Sequence, residues 1–327
     1  MNRDQRSERI FRKADKIHHE KEQDTGSDDG GKHDAPADGL RRYLPVRQMR
    51  AVVNRIIPFS SVDGPGNRTA VFLQGCNIDC RYCHNPETRG FCQNCGVCAD
   101  SCPAGALSMA EGKVRYDAAK CVQCDTCIHV CPHDSSPRTE ELTPEEVEER
   151  VRRQIPYIRG ISVSGGECML QPAFLTELFR LAKADGLTTL IDSNGTVPFW
   201  EYPKLMEVTD GVMLDIKAFD CGEHRKVTGA SNEIVLANAS WLAEHGKLYE
   251  VRAVIVPGLY DGERSIRSMG AFLAPYLAVR EFRIKIIAYR PMGVRREYAC
   301  YEVPRPEELE HLADILRECG FQNIIII

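Results

Sequence analysis

An α/β fold built on a parallel sheet, closed or partly closed into a barrel, is predicted by three features of this 327-residue chain. Apolar, β-branched runs alternate with helical patterns; the helical patterns carry start and stop residues; and one short cysteine-rich stretch interrupts the rhythm. Repeated strand–helix units imply parallel strands joined by crossover helices.

The elements follow in order. Residues 1–48 are rich in Lys, Glu, Asp, Gly and His and lack apolar periodicity, so they are expected to form a disordered N-terminal extension. A native start at Met49, directly before the first strand-like run, is the alternative. Strand-like runs cover 50–57, 69–74, 160–164, 187–192, 211–216, 248–256, 282–287 and 323–327. Thr143-Pro144-Glu145-Glu146 reads as an N-cap, a first-position proline and acidic residues favoured by the helix dipole. Further helices are predicted over 172–185, 231–245 and 306–319, each followed by glycine at its end. The stretch 90–138 carries eight cysteines and is predicted to be an insertion, leaving 49–89 and 139–327 as the core domain.

Composition excludes several classes. With 43% hydrophobic and 27% charged residues the chain can bury a sizeable core. A net charge of -5 gives no basic field for nucleic acid. No apolar run approaches the roughly 18 residues of a membrane helix, and the first residues have no signal core, so a cytoplasmic protein without membrane contact is expected. Fifteen cysteines, an odd number without a secretion signal, argue for metal or cluster ligation over disulfides. Eleven fall between Cys76 and Cys131; Cys168, Cys221, Cys300 and Cys319 are expected to be packing residues.

Cys76, Cys80 and Cys83 follow a strand in QGCNIDCRYCHNPET. Three thiolates can hold three irons of a four-iron cluster and leave the fourth open to a substrate. A zinc knuckle with His84 as fourth ligand is the alternative on spacing alone. Later strand ends favour the cluster. Ser164-Gly165-Gly166-Glu167 offers close backbone approach to a ligand and a carboxylate for a cationic amine. Asp192-Ser193-Asn194-Gly195 and Met213-Leu214-Asp215-Ile216-Lys217 end the next two strands, and polar residues at successive strand ends converge on one barrel mouth.

The inserted stretch holds two copies of the bacterial ferredoxin run, Cys92, Cys95, Cys98, Cys102-Pro103 and Cys121, Cys124, Cys127, Cys131-Pro132. In two-cluster ferredoxins the fourth cysteine of each run serves the other cluster. The expected sets are therefore Cys92, Cys95, Cys98 and Cys131, and Cys102, Cys121, Cys124 and Cys127, with His129 and His133 as bystanders.

In this order SVDGPGNR, QGCNIDCRYCHNPET, SGGE, DSNG, LDIK and VRAVIVPG resemble the glycyl-radical-enzyme activating enzymes of the radical S-adenosylmethionine (SAM) superfamily, over essentially 49–327. Among them the chain resembles the YjjW-type activases, whose presumed partner is the glycyl radical protein YjjI. The resemblance implies a partial (β/α)6 TIM-like barrel with an inserted two-cluster ferredoxin-like domain. It implies an oxidoreductase holding three [4Fe–4S] clusters and SAM, a glycyl radical enzyme as protein substrate, and a flavodoxin or ferredoxin-type electron donor. Tyr82, Cys83 and His84 would flank the adenine; Gly166, beside Gly165 and Glu167, would meet the methionine amino group; Asp215, Ile216 and Lys217 would contact the cofactor. Asp192, Ser193, Met213 and Asp215 match a monovalent-cation site in a relative. Asp63 to Gly66 and Arg252 match stretches that hold the partner's glycine loop or the cofactor, and Arg290 stands where a relative has a cofactor-contacting histidine. Two rivals share parts of this pattern: a radical SAM enzyme acting on a small molecule, and an iron–sulfur electron-transfer protein. The second gives no reason for the Cys76 triplet.

Overall fold

The computed structural model describes residues 49–327; the proposed extension 1–48 lies outside the described residues. The strands are β1 (Ala51–Ser60), β2 (Arg68–Leu73), β3 (Leu107–Ala110), β4 (Lys113–Tyr116), β5 (Glu140–Leu142), β6 (Gly160–Gly165), β7 (Thr188–Ser193), β8 (Gly211–Asp215), β9 (Leu248–Ile255), β10 (Arg283–Ala288) and β11 (Ile324–Ile326). Nine of them form one sheet in the order β11-β10-β9-β8-β7-β6-β2-β1-β5, with β5 and β11 as its two edges. The sheet is thus open, with two edges. Strands β2 and β6 to β11 run parallel, while β1 and β5 pair antiparallel at one edge. This is one parallel strand more than a (β/α)6 barrel, the extra one being the short β11.

Sequence explains the central strands. All six residues of β2, RTAVFL, are buried, as expected for a central strand of a parallel sheet. The helix Pro144–Arg152 starts on the predicted cap: the Thr143 hydroxyl accepts from the Glu146 amide, and the Glu146 carboxylate accepts from the Thr143 amide. Helices Pro172–Ala184, Glu233–Glu244 and Pro306–Glu318 lie within the expected windows. Two further helices, Cys221–Thr228 and Gly262–Leu273, are nucleated by the side chains of Asp220 and Asp261, which accept from the amides three residues on.

Residues 90–138 fold as two short helices, Val97–Asp100 and Thr126–His129, and the β3–β4 hairpin, around buried Cys98, Leu107 and Cys127. The two cysteine runs repeat one backbone turn. Asn94 and Gln123 both have φ of 54°, and the residues two further on, Gly96 and Asp125, are also left-handed. All strand ends that matter for function, after β2, β6, β7, β8, β9 and β10, meet at the carboxyl rim of the parallel sheet.

Candidate active site

The cysteine loop is set by backbone contacts. Strand β2 runs through Gln74 to Gly75, whose amide donates to the Thr88 carbonyl at 2.8 Å, and the Cys76 amide donates to Arg89 at 3.0 Å. Gly75 has φ of +102°, and an added Cβ would sit 2.7 Å from the Phe91 ring. From the next strand, Gly166 donates to Leu73 O at 2.9 Å and Glu167 to Gly75 O at 2.8 Å. A Cβ at Gly166 would come within 2.2 Å of Gly75 O. The glycine pair therefore serves close approach of two backbones, which fixes the Cys76 loop, in addition to lining the cavity beside it.

Glu167 departs from expectation. It is 1% exposed, and its carboxylate accepts from Met169 N at 2.9 Å, Asn194 N at 2.7 Å and the Ser193 hydroxyl at 2.9 Å. Burial raises its pKa to about 7. A carboxylate so occupied anchors the β7 end instead of facing an amine in the cavity.

Cys76, Cys80 and Cys83 line one cavity of about 260 Å³ together with Tyr82, His84, Gly165, Gly166, Asp192, Ser193, Asp215, Lys217 and Arg252. Strand-end registration thus holds for most of the expected set. Burial pushes the Cys76 thiol up to about 11 and Cys80 up to about 12, against the pull of Lys217. Ligating thiolates need a compensating cationic centre, which iron supplies. Among the described residues no three His, Cys, Asp or Glu side chains gather as they would on a single ion, whereas three thiols around a cavity suit a larger group. The Tyr82 hydroxyl is buried there without a partner. The residues present fit an iron–sulfur cluster with a further ligand.

Other expectations are corrected. Ile216 is buried and outside the cavity wall; its amide donates to Arg252 O at 3.0 Å. Arg290 is exposed and does not line the cavity; Arg295, five residues on, does. The residues matched to a cation site are engaged within the protein. Asp192 accepts from the Ser164 hydroxyl at 3.0 Å and from Arg252 at 2.8 Å, Met213 S faces Arg252 at 3.0 Å, Asp215 holds Lys217 at 2.5 Å, and Ser193 is engaged by Glu167. Arg252 and Lys217 place positive charge beside these two carboxylates. Asp63 to Gly66 lie at the start of β2, roughly 20 Å of strand from its cysteine end. There Asp63 O accepts from the Ser162 hydroxyl and Pro65 O from Arg68 at 3.4 Å, so the segment packs the far end of the sheet. Cys300 is exposed, not packed, whereas Cys168 is buried.

Sequence reasoning missed Arg295 and Glu250. Glu250, 0% exposed, bonds Arg252, Arg283 and Lys285, and so aims Arg252 at the cavity from behind. Alternation in β9 hid it as an inward polar residue. In 90–138, one small cavity is lined by Cys92, Cys95, Cys98 and Cys131, and another by Cys102, Cys121, Cys124 and Cys127. His133 borders the first. Among the described residues no helix is long and apolar enough to cross a membrane.

Residues 70–269 match the Radical SAM superfamily. At 13% identity and a TM-score of 0.50, Streptococcus suis SuiB bound to the precursor peptide SuiA shares the fold over 78% of this chain and 47% of that one. The chain belongs to the radical SAM superfamily. Two relatives narrow this: the indoleacetate decarboxylase activating enzyme of Tractidigestivibacter scatoligenes, 30% identical over 85% of this chain and 98% of its own, and the pyruvate formate-lyase-activating enzyme of Streptococcus mutans, 34% identical over 82% and 87%. Within the superfamily it is an activating enzyme of the glycyl-radical-enzyme kind.

Proposed function

We propose that the chain binds three [4Fe–4S] clusters and plants a glycyl radical on a partner of the YjjI-like kind, as a YjjW-type activase. Bound beside a reduced cluster, SAM would supply one-electron reductive cleavage and abstraction of a hydrogen atom from the partner's backbone glycine. Cys76, Cys80 and Cys83 would hold the cluster, and their count would leave one iron for the cofactor.

The chain's own residues bind and orient. Lys217 would suit the cofactor's carboxylate and Gly166 its amino group, and Tyr82, Cys83 and His84, which line the same cavity, would border the adenine. Arg252, braced by Glu250, keeps Asp192 neutralised at the cavity wall. The quartets Cys92, Cys95, Cys98, Cys131 and Cys102, Cys121, Cys124, Cys127 hold two further clusters that relay or store electrons from a flavodoxin or ferredoxin-type donor. The insertion 90–138 is a ferredoxin-like domain in the core 49–89 and 139–327.

One observation carries this reading: three thiols from one loop share a cavity with polar residues from the ends of successive parallel strands. The test is anaerobic reconstitution with reductant and SAM beside a co-encoded glycyl radical protein. A doublet glycyl radical signal by paramagnetic resonance is expected. Intact clusters with no SAM cleavage would overturn it, and cleavage coupled to turnover of a free metabolite would favour the small-molecule rival.

A further inference from the structure

Four charged side chains meet at one corner of the cavity. Arg295, on the loop after β10, donates to Asp79 and, at 3.2 Å, to the carbonyl oxygen of Cys80; its other nitrogen lies 3.8 Å from Asp134. Arg89 contacts Asp79 at 2.7 Å and also binds Asp134. Asp79 sits between Cys76 and Cys80, whereas Asp134 belongs to the cysteine-rich stretch. The Arg295 side chain is 13% exposed, lies 4.8 Å over the Tyr298 ring, and borders the cavity. Its loop packs backbone to backbone on the residue after Cys83: an added Cβ at Gly293, where φ is +84°, would lie 2.8 Å from His84 O.

The network is neutral as a set but lopsided in place. The two arginines line the cavity, while Asp79 is about half exposed and outside its wall. A group in the cavity therefore sees the positive end. We infer that Arg295 is a positioning residue that clamps the loop after β10 onto the cysteine loop and sets the reduction potential of the cluster held by Cys76, Cys80 and Cys83, an inference that rests on the proposed function. Cluster potentials respond to nearby charge and hydrogen bonds, and a cation favours the more negative, reduced state.

Charge and clamp give opposite signatures. Arg295→Met removes a positive charge and Asp79→Asn a negative one, yet both remove the same ion pair. A charge role moves the two potentials in opposite directions; a merely structural role moves them together. The full-length protein, reconstituted anaerobically, is titrated with redox mediators and followed by paramagnetic resonance. In Arg295→Met the cavity cluster's reduction equilibrium is expected to shift about tenfold toward the oxidised form, 59 mV for a one-electron couple. Asp79→Asn is expected to shift it the other way, and Arg295→Lys to stay near the parent. Unchanged potentials, or shifts of one sign in both variants, would overturn the inference. If Arg295→Met fails to load iron, Asp79→Asn and Arg295→Lys decide the matter alone. Failure of the underlying reading looks different, because the parent protein itself would then show no signal that Cys80→Ala removes.

Discussion

Replacing Arg68 by methionine separates fold from function in the SVDGPGNR stretch. The Arg68 side chain is 1% exposed and donates to Ile161 O at 2.6 Å, Thr188 O at 2.9 Å, Pro65 O at 3.4 Å and the hydroxyls of Ser162 and Thr188 at 2.8 and 2.9 Å. It thereby ties the starts of β2, β6 and β7. Methionine keeps most of the stem but offers no donor. Losing charge-assisted donations to one buried carbonyl, Ile161 O, and two part-buried ones, Thr188 O and Pro65 O, costs about 2 kcal/mol each, roughly 6 in all, while the hydroxyls can turn to other partners. Burial holds the Arg68 pKa down to about 10, and escape from that cost returns about 3 kcal/mol. The net is a destabilisation of about 3 kcal/mol, which lowers a thermal midpoint by roughly 6 °C in a chain of this size. Thermal inactivation of the reconstituted enzyme measures it, beside iron content and SAM cleavage per folded molecule at low temperature. Cleavage and iron are expected to stay at parental levels, because the site is a strand's length away. A normal midpoint, or a stable protein that has lost cleavage, would refute the assignment of this stretch to the fold.

Three other outcomes follow. Cys80→Ala is expected to lower iron from about twelve to about eight atoms per chain and to abolish SAM cleavage, with iron assay and product chromatography as readouts. Gly166→Ala drives a methyl group into Gly75 O and is expected to lose the same four irons without touching a ligand, since Gly75 precedes Cys76; full iron loading would contradict it. Glu148 has its pKa raised to about 7, by burial first and Asp185 second. A carboxyl raised in the fold contributes fully below its ordinary pKa of 4.5, and that contribution is lost as pH rises through about 7. Glu148→Gln is thus expected to gain on the parent in melting temperature between about pH 6 and about pH 8.5; an equal difference at both pH values would contradict the sign.

Legibility in the sequence followed burial. Strands such as β2 and β8 are buried along nearly their whole length and have apolar centres, so their positions are evident. The edge strand β5, Glu-Glu-Leu, and the exposed hairpin β3–β4 have no such signature and were missed. Helices Cys221–Thr228 and Gly262–Leu273 begin on aspartate caps without a proline to mark them. At the site, cysteine spacing and strand-end motifs located the cavity because its chemistry is local in sequence. Glu167 was misjudged because only tertiary structure shows that two amides and a hydroxyl converge on it. Arg295 joins Asp79 across more than two hundred residues, and nothing in an arginine-rich loop announces that pairing.

Three cysteines that hold a cluster and leave one iron free for SAM are the core of the proposed chemistry. Paramagnetic resonance of the anaerobically reduced protein, with and without SAM, tests this most directly. SAM is expected to change the signal of a single cluster, and that signal is expected to vanish in Cys80→Ala while the others persist. A spectrum indifferent to SAM, or zinc in place of iron at Cys76, Cys80 and Cys83, would contradict it.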